Sequence, residues 1–288
     1  MEETKPNVRE IVARFPDADA PGREEKFTGP DPAAAESAFR EILAGGKAAI
    51  QELVAAVSDP TAEGPVDFRA EYALHGIAVL VGRAGEAERR RLFEDALIEE
   101  LARPDRSKWK RALFIRELQF AGTERAVPAI GGCLLDPELA DPAAMALVAI
   151  GGEAATAALR KALPDARGRV RSAIVHALGA LGDRASAQLL RAALGDPERD
   201  VRTGAAWALA KMGDADAADS LLEAAEAEDR WERIQGAKAC LLLAERLAAA
   251  GRKDAAARIY ERLREKKRGT DEAYVAEAAE RGLAACRA

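Results

Sequence analysis

The feature that most constrains the fold is a repeat of about 30 residues in the middle of the chain. Four glycines mark corresponding positions of successive units, with spacings of 29, 31 and 31 residues: Gly122, Gly151, Gly182 and Gly213. Aspartates form a second column and leucines a third: Asp136, Asp165 and Asp196, then Leu134, Leu163 and Leu194. A period of this length is typical of solenoids, in which each unit adds one supersecondary motif to a stack.

Each column has a physical reason within a helical hairpin. The glycine is expected to end the first helix, because the position after the last helical residue usually needs a left-handed backbone. The next residue (Thr123, Asp183 or Asp214) is expected to cap the second helix by accepting its free N–H groups. Leu and Ala recur at i, i+3, i+4 and i+7, which gives each helix one apolar stripe. One hairpin cannot bury this stripe alone, so the stack is the stable unit.

The first helices share a signature that occurs twice at a shift of 31 residues: RVRSAIVHALGALG from Arg169 and DVRTGAAWALAKMG from Asp200. The pattern Val-Arg-x-x-Ala-x-x-Ala-Leu-x-x-x-Gly resembles the HEAT-like repeats named after the phycobilisome lyases, closely over residues 105–225 and more loosely on both sides. The resemblance implies an all-α fold, a right-handed α-solenoid or armadillo-type superhelix of about six to seven helical hairpins. It also implies Asp and Arg residues that tie one repeat to the next: Asp165 and Arg171, Asp196 and Arg202, with Arg111 in the same column.

The repeat is regular only in its centre, and the pattern divides the chain into four parts. Residues 1–33 are predicted to form a partly extended lead-in, with a short helix that docks on the first repeat. Residues 34–104 are predicted to form longer helical repeats, and residues 105–228 regular HEAT-like repeats. Residues 229–288 are predicted to form a tetratricopeptide-like helix pair and a capping helix, because terminal repeats must turn a polar face to water.

Composition disfavours several classes of partner. The formal net charge of −6 disfavours nucleic acid or an anionic membrane as the main partner. No run of 18 apolar residues is present, so we expect no membrane insertion. The first residues, MEETKPNVRE, lack the apolar core of a signal peptide. The compartment stays open between the cytoplasm and export after loss of a signal peptide.

The sequence contains no recognisable catalytic or cofactor motif. Its cysteines lack CxxC spacing, and its two histidines lie 101 residues apart without Cys partners at helical spacing. There is no GxSxG, P-loop or Rossmann glycine pattern. We therefore predict that the protein is not an enzyme and holds no cofactor and no metal. The three cysteines are interpreted as buried small apolar residues: Cys133, Cys240 and Cys286.

The strongest candidate for a binding surface is the first helix of each repeat, because the resemblance implies that these helices line the concave side. Two columns there carry large, varied side chains where the other columns hold mostly Ala, Leu, Val and Ile. One column reads Arg116, Met145, His176, Trp207 and Ala239, and the other reads Trp109, Glu138, Arg169, Asp200 and Glu232, with Trp231 one position away. Trp and Arg are common interface anchors. We predict a partner-binding row of six residues: Trp109, Arg116, Met145, Arg169, His176 and Trp207.

Structural interpretations of these residues remain open at this point. Trp207 lies between Ala206 and Ala208, and it can equally fill the space beside these small neighbours. Trp109 can shield a junction between repeats, and His176 can be a solvated or hydrogen-bonding residue. The prediction of a binding row therefore depends on whether the two tryptophans are exposed.

These observations favour a non-catalytic scaffold or adaptor, expected to be a monomer, that binds an unidentified protein or peptide. The alternative is a nucleic-acid-binding protein, because the basic residues of 103–116 surround Trp109 and resemble the basic groove of HEAT-like DNA glycosylases. A third class is a bilin lyase-like subunit, although a repeat motif alone does not transfer an activity. A regulatory module of a longer polypeptide is a further possibility.

Overall fold

The computed structural model describes residues 7–16, 30–60, 67–269 and 271–287. Within these ranges the chain forms sixteen α-helices and no strand, and short 3-10 turns lead into three of the second helices. Fourteen of the helices follow one another along the chain as seven successive pairs of a first and a second helix, so the predicted all-α array of about six to seven hairpins is confirmed. The contacts divide the chain into two compact units, unit 1 (Met1–Ala155) and unit 2 (Thr156–Ala288). The boundary lies within helix α9 (Gly152–Ala162), and the predicted four-part division stays a prediction.

Unit 1 contains a short docking helix, three complete hairpins and the first helix of a fourth. Its helices are α1 (Val8–Val12), α2 (Pro32–Ala44), α3 (Gly46–Ala56), α4 (Arg69–Val81), α5 (Ala87–Ala102), α6 (Lys108–Ala121), α7 (Val127–Gly131) and α8 (Ala140–Ile150). The first helices α2, α4, α6 and α8 pack side by side, and α3, α5 and α7 form a second layer. Side chains such as Ile77, Phe93 and Phe114 are fully buried. Helix α1 packs against α2 and α3, as predicted for the first residues.

Unit 2 contains two regular hairpins, one longer hairpin and a final helix. Beyond the boundary helix its elements are α10 (Gly168–Leu181), α11 (Ala187–Ala193), α12 (Arg199–Met212), α13 (Ala218–Ala224), α14 (Arg230–Ala249), α15 (Lys253–Lys267) and α16 (Ala273–Arg287). The first helices α10, α12 and α14 pack side by side. Helices α11 and α13 pack against α12 and α14 respectively, which leaves one side of each first helix free.

Glycine is required in this column for two different physical reasons. Gly182 and Gly213 follow α10 and α12 with left-handed φ values of 65° and 71°, as predicted. Gly122 follows α6 with a φ of −71°, so the prediction of a left-handed backbone is wrong there. A Cβ atom on Gly122 would lie 2.3 Å from the carbonyl oxygen of Leu118. At this position glycine is required by the close approach of the backbone.

The predicted capping of the second helices is right only at Thr123, whose hydroxyl accepts a hydrogen bond from the N–H two residues on. Asp183 and Asp214 make no capping hydrogen bond. They pair instead with Arg160 and Arg191, each at 2.7 Å. Because the arginines lie on α9 and α11 and the aspartates precede α11 and α13, these pairs link successive second helices.

The predicted structural role of the Asp and Arg columns is confirmed in unit 2. Arg171 lies 3.1 Å from the carboxylate of Asp196, which belongs to the next turn between repeats. Arg202 donates to the carbonyl oxygen of Asp196 at 2.7 Å and to the carboxylate of Glu232 at 2.6 Å. The hydrogen bond from Arg202 lowers the pKa of Glu232. These contacts join α10, α12 and α14 at one end.

Candidate partner-binding faces

The first helices of unit 2 expose two rows of large side chains. Corresponding positions of α10, α12 and α14 are 31 residues apart, so their side chains stand side by side. Within each helix the two exposed positions are seven residues apart, which puts them two turns apart on one side. We call this exposed side of α10, α12 and α14 the unit 2 face. Its rows are Arg169, Asp200 and Trp231, and His176, Trp207 and Lys238, all of them exposed.

Trp207 is exposed on the unit 2 face. Its exposed fraction is 51%, whereas its neighbours Ala206 and Ala208 are buried in the core. The structure therefore contradicts the interpretation that Trp207 fills space beside these alanines. The small neighbours let α12 pack closely, and the indole ring points away from that contact.

The third member of each row differs from the one that the sequence alignment indicated. The alignment placed Glu232 and Ala239 in the two columns, but a constant shift of 31 residues leads to Trp231 and Lys238. Ala239 is buried, and Glu232 turns toward the neighbouring helix. Trp231 is 45% exposed, and the guanidinium carbon of Arg199 lies 4.7 Å from its ring centroid. The sequence analysis therefore placed Trp231 one position outside the column and left it out of the predicted row.

His176 lies across the junction between α10 and α12. A Cβ atom on Gly204 would lie 3.1 Å from both Cε1 and Nε2 of the His176 ring. Glycine at this position of α12 therefore leaves the space that the imidazole occupies. The ring remains exposed at its outer edge, so His176 can also contact a partner.

Unit 1 holds the other three predicted residues on α6 and α8. Arg116 and Met145 are exposed, and the exposed fraction of Met145 is 61%. Trp109 is half-buried at the start of α6. The predicted row of six residues is thus divided into three residues in each unit. We call the exposed side of α4, α6 and α8 the unit 1 face.

Sequence reasoning missed the largest apolar group of the unit 1 face. Phe68, Tyr72, His75 and Val79 recur at spacings of four, three and four residues along α4, which places them on one side of the helix. Phe120 of α6 meets His75 edge-on, with 5.1 Å between the ring centroids. The apolar side chains of this group are between 38% and 49% exposed: Phe68, Tyr72, Val79 and Phe120. The spacing is visible in the sequence, but the same spacing also describes a stripe that faces the core.

A buried carboxylate lies beneath this apolar group. Glu117 is buried, and its Oε2 lies 3.0 Å from Nδ1 of His75, which is half-exposed. Burial raises the pKa of Glu117, while the nearby charges of His75 and Arg116 act in the opposite direction. The imidazole therefore covers the carboxylate and presents its own outer edge to solvent.

Half of the six cations in the basic stretch of residues 103–116 are paired with carboxylates. Three of its cations are held in ion pairs: Arg103 with Asp105, Arg106 with Glu100, and Lys108 with Asp136. Burial lowers the pKa of Lys110, which is half-buried. The stretch does not present a continuous row of free cations of the kind that phosphate groups would contact.

Two further findings concern the described part of the chain. No group of three or more His, Cys, Asp and Glu side chains there is arranged to hold a metal ion. Nor does any described helix combine the length and the apolar character needed to cross a membrane.

The comparison with protein families decides the classification. A family model described as HEAT repeats matches residues 94–178 and 159–242. The two matches overlap and together span residues 94–242, which is more than half of the 288 residues. The chain belongs to the HEAT-repeat family. The resemblance seen in the Val-Arg pattern is confirmed. A comparison with curated protein sequences gave no match.

Two solved structures share the fold of this HEAT-repeat protein. A Kap121p mutant is 13% identical with a TM-score of 0.56, and the match covers 98% of this chain and 34% of that chain. Importin beta is 13% identical with a TM-score of 0.51, and the match covers 98% of this chain and 41% of that chain. This chain therefore spans less than half of either protein, and at this identity the likeness shows the fold alone. The complex of CpcE and CpcF of phycocyanin lyase from Nostoc sp. is 21% identical over 81% of this chain and 94% of that chain, with a TM-score of 0.41.

Proposed function

We propose that this HEAT-repeat protein is a non-catalytic scaffold or adaptor that binds a protein or peptide on its first-helix faces. The observation that carries the proposal is the exposure of two tryptophans, Trp207 and Trp231, on the unit 2 face. The six residues of the predicted row belong to the proposed surfaces, three on each face: Trp109, Arg116 and Met145, and Arg169, His176 and Trp207. The proposed partner is an unidentified protein or peptide, and we propose that the free protein is a monomer.

The energetics of exposure support this proposal. The exposed half of a Trp side chain corresponds to on the order of 100 Å² of mostly apolar surface. Burial of that area against a partner is worth roughly 2.5 kcal/mol. Two such side chains on one face, with Met145 as a comparable anchor on the other, are the kind of residues that dominate interface energies.

The charges around the tryptophans also favour a protein partner. Arg169, Lys238 and Asp200 surround the rings with both signs of charge. Protein interfaces commonly combine an apolar centre with a polar rim of mixed charge. A nucleic acid would meet a carboxylate in this rim, and half of the cations in the basic stretch of unit 1 are already paired with carboxylates. The alternative of nucleic-acid binding therefore has weaker support.

The test begins with selection of a peptide against the full chain. A displayed library of twelve-residue peptides provides ligands, and fluorescence polarisation of one labelled peptide gives its Kd for each protein variant. We expect the double substitution Trp207→Ala and Trp231→Ala to raise the Kd at least about tenfold, because both anchors are lost. The helical circular dichroism should stay unchanged, because neither ring is part of the core.

The matched control is Leu135→Ala, which removes an exposed apolar side chain in the turn between α7 and α8. This variant should bind the peptide within about twofold of the unchanged protein. If the selected peptides bind the double variant as tightly as the control, the unit 2 face is not the binding surface.

A further inference from the structure

A groove lies between α13 and α15 in unit 2, on the other side of α14 from the unit 2 face. Its volume is about 970 Å³. Leu222 of α13 is partly exposed at its floor, above Leu247 of α14 and Ile259 of α15, which are buried. The two flanking helices supply the walls, and both run antiparallel to α14 because each is joined to α14 by a short turn.

The groove exists because the last hairpin is longer than the regular ones. Helices α10 and α12 each have 14 residues, whereas α14 has 20. Helices α11 and α13 have 7 residues each, whereas α15 has 15. Six additional residues extend α14 by roughly 9 Å, so the start of α15 lies beyond the start of α13. At the other end an ion pair of 3.0 Å between Glu226 and Lys266 joins the two helices.

The two walls carry opposite charges that do not neutralise each other. Asp219 and Glu223 lie four residues apart on α13, and Arg258 and Arg262 lie four residues apart on α15. Arg252 continues the basic wall at its open end. All five side chains are exposed, and within the described residues none of them forms an ion pair or a side-chain hydrogen bond. The groove between the walls therefore leaves room for a ligand whose charges pair with the side chains of both walls.

The lining identifies the kind of occupant. Small-molecule sites are mostly apolar with few polar groups, whereas charged side chains line both walls here. A polyanion would be repelled by the carboxylates of α13. A segment with basic residues on one flank, acidic residues on the other and apolar residues between them matches all three surfaces.

The dimensions favour a helical segment over an extended one. A helix about 10 Å in diameter can lie along the groove, because each wall offers two charged side chains that are about one helical turn apart. Side chains four residues apart on such a helix repeat at the same distance as Asp219 and Glu223, or Arg258 and Arg262. An extended segment would bring unpaired backbone N–H and C=O groups against helices that cannot pair with them.

We propose that the groove between α13 and α15 binds an α-helix of a partner protein, with Lys or Arg side chains on the flank toward α13 and Asp or Glu side chains on the flank toward α15. The site is separate from the unit 2 face and lies behind it. A partner that uses both would contact opposite sides of α14.

The test uses the full chain and two labelled helical peptides of 16 residues with identical composition. In the sorted peptide, a Leu row separates a flank of Lys from a flank of Glu. In the mixed peptide, Lys and Glu alternate on both flanks. Fluorescence polarisation at low salt should give saturable binding of the sorted peptide with a Kd at least about fivefold lower than that of the mixed peptide. Added salt should weaken this binding, because the pairs are exposed.

Charge-reversed variants decide whether the walls are responsible. Reversal of one wall, by Asp219→Lys with Glu223→Lys or by Arg258→Glu with Arg262→Glu, should raise the Kd of the sorted peptide about tenfold. Reversal of both walls together should restore binding, because the peptide can enter in the opposite direction. The control Glu277→Lys with Glu280→Lys makes the same change of net charge as reversal of the acidic wall, but on α16 outside the groove, and should leave the Kd within twofold.

Three results would overturn the proposal. One is equal binding of the sorted and mixed peptides, and another is binding of the sorted peptide that survives reversal of either wall. The third is tight binding of a DNA oligonucleotide that is lost on reversal of the arginines and unchanged on reversal of the carboxylates. That result would assign the basic wall to a polyanion. The helical circular dichroism of each reversed variant is checked first, to confirm that it folds. The variant with both walls reversed keeps the original net charge, so it controls for effects of net charge alone.

Discussion

The unit 1 face and the unit 2 face are built from the same kind of helix and expose different chemistry. The unit 2 face presents isolated tryptophans among charges of both signs. The unit 1 face presents a continuous apolar stripe on α4 that meets Phe120 of α6, with Glu117 buried beneath His75. The unit 2 face thus offers separate anchors, whereas the unit 1 face offers a broad apolar surface above a buried carboxyl group.

The difference shows that rows of exposed side chains can be predicted from the sequence where the repeat is regular. In unit 2, α10 and α12 have equal lengths, and a constant shift of 31 residues connects the rows. In unit 1, His75, Arg116 and Met145 are separated by 41 and 29 residues, because α5 and its connections are longer. Counting along the sequence therefore does not bring α4 into register with α6.

The largest expected effect is on the free energy of unfolding, and it distinguishes a buried from an exposed side chain of α6. Phe114 is fully buried and Phe120 is nearly half-exposed on the same helix. We expect Phe114→Ala to lower the free energy of unfolding by about 3–5 kcal/mol, because it leaves a cavity. Phe120→Ala should lower it by less than about 1 kcal/mol. Urea unfolding followed by circular dichroism measures both, and equal losses would show that Phe120 belongs to the core.

A smaller effect compares two glycines at the junction of α10 and α12. A Cβ atom on Gly179 would lie 2.7 Å from the Cβ of Ala208, so Gly179→Ala forces the two helices apart. We expect a net loss of about 1–2 kcal/mol, since overpacking outweighs the gain in helix propensity. A Cβ atom on Gly204 would lie 3.1 Å from the exposed His176 ring, which can move, and 3.3 Å from Cγ1 of the buried Val175. Because both contacts need shifts of only a few tenths of an ångström, Gly204→Ala should change stability by less than about 1 kcal/mol. A loss as large as that of Gly179→Ala would mean that neither side chain can move.

The buried carboxylate of the unit 1 face predicts a dependence on pH. Because burial raises the pKa of Glu117, the stability associated with its protonated form is fully present below about pH 4.5. It is lost as the pH rises through the pKa of the folded state. The uncharged variant Glu117→Gln should therefore gain stability relative to the unchanged protein as the pH rises, by on the order of 1 kcal/mol.

This prediction is measured by urea unfolding at pH 4.5 and at pH 7, with Glu138→Gln as the control. Glu138 is exposed, so its substitution should shift the midpoint by the same small amount at both pH values. A loss of stability of Glu117→Gln relative to the unchanged protein as the pH rises from 4.5 to 7 would contradict the assigned role of burial.

The smallest expected effect concerns Trp231 on the unit 2 face. Arg199 lies over its ring, and an exposed cation–π contact of this kind is worth about 0.5–1 kcal/mol. Arg199→Ala should lower the free energy of unfolding by about 0.5 kcal/mol and make the Trp231 fluorescence more accessible to acrylamide. Unchanged quenching would show that the guanidinium does not shield the indole.

Much of the fold could be predicted from the sequence, because helix ends and apolar stripes leave local signals. The column of glycines located the ends of α10 and α12, and the Val-Arg pattern located the first helices. Gly122 could not be explained in this way, because glycine is required there by a close contact with the carbonyl oxygen of Leu118. Asp183 could equally cap a helix or pair with Arg160, and only the position of the neighbouring helix decides between them.

The candidate surfaces could be predicted less completely. The exposure of Trp207 was undecided in the sequence, because small neighbours are compatible with both a packed and an exposed ring. Trp231 was missed because the alignment shifted by one residue across α14. The stripe from Phe68 to Val79 was missed because an apolar stripe has the same spacing whether it faces the core or solvent.

The most direct test of the central claim, that the unit 2 face binds a partner, is the accessibility of Trp207 with and without a bound peptide. The variant with Trp109→Phe and Trp231→Phe leaves Trp207 as the only tryptophan. We expect acrylamide to quench this fluorescence strongly in the free protein and at most about half as efficiently when a selected peptide is bound. Unchanged quenching of Trp207 in the saturated complex would contradict the account.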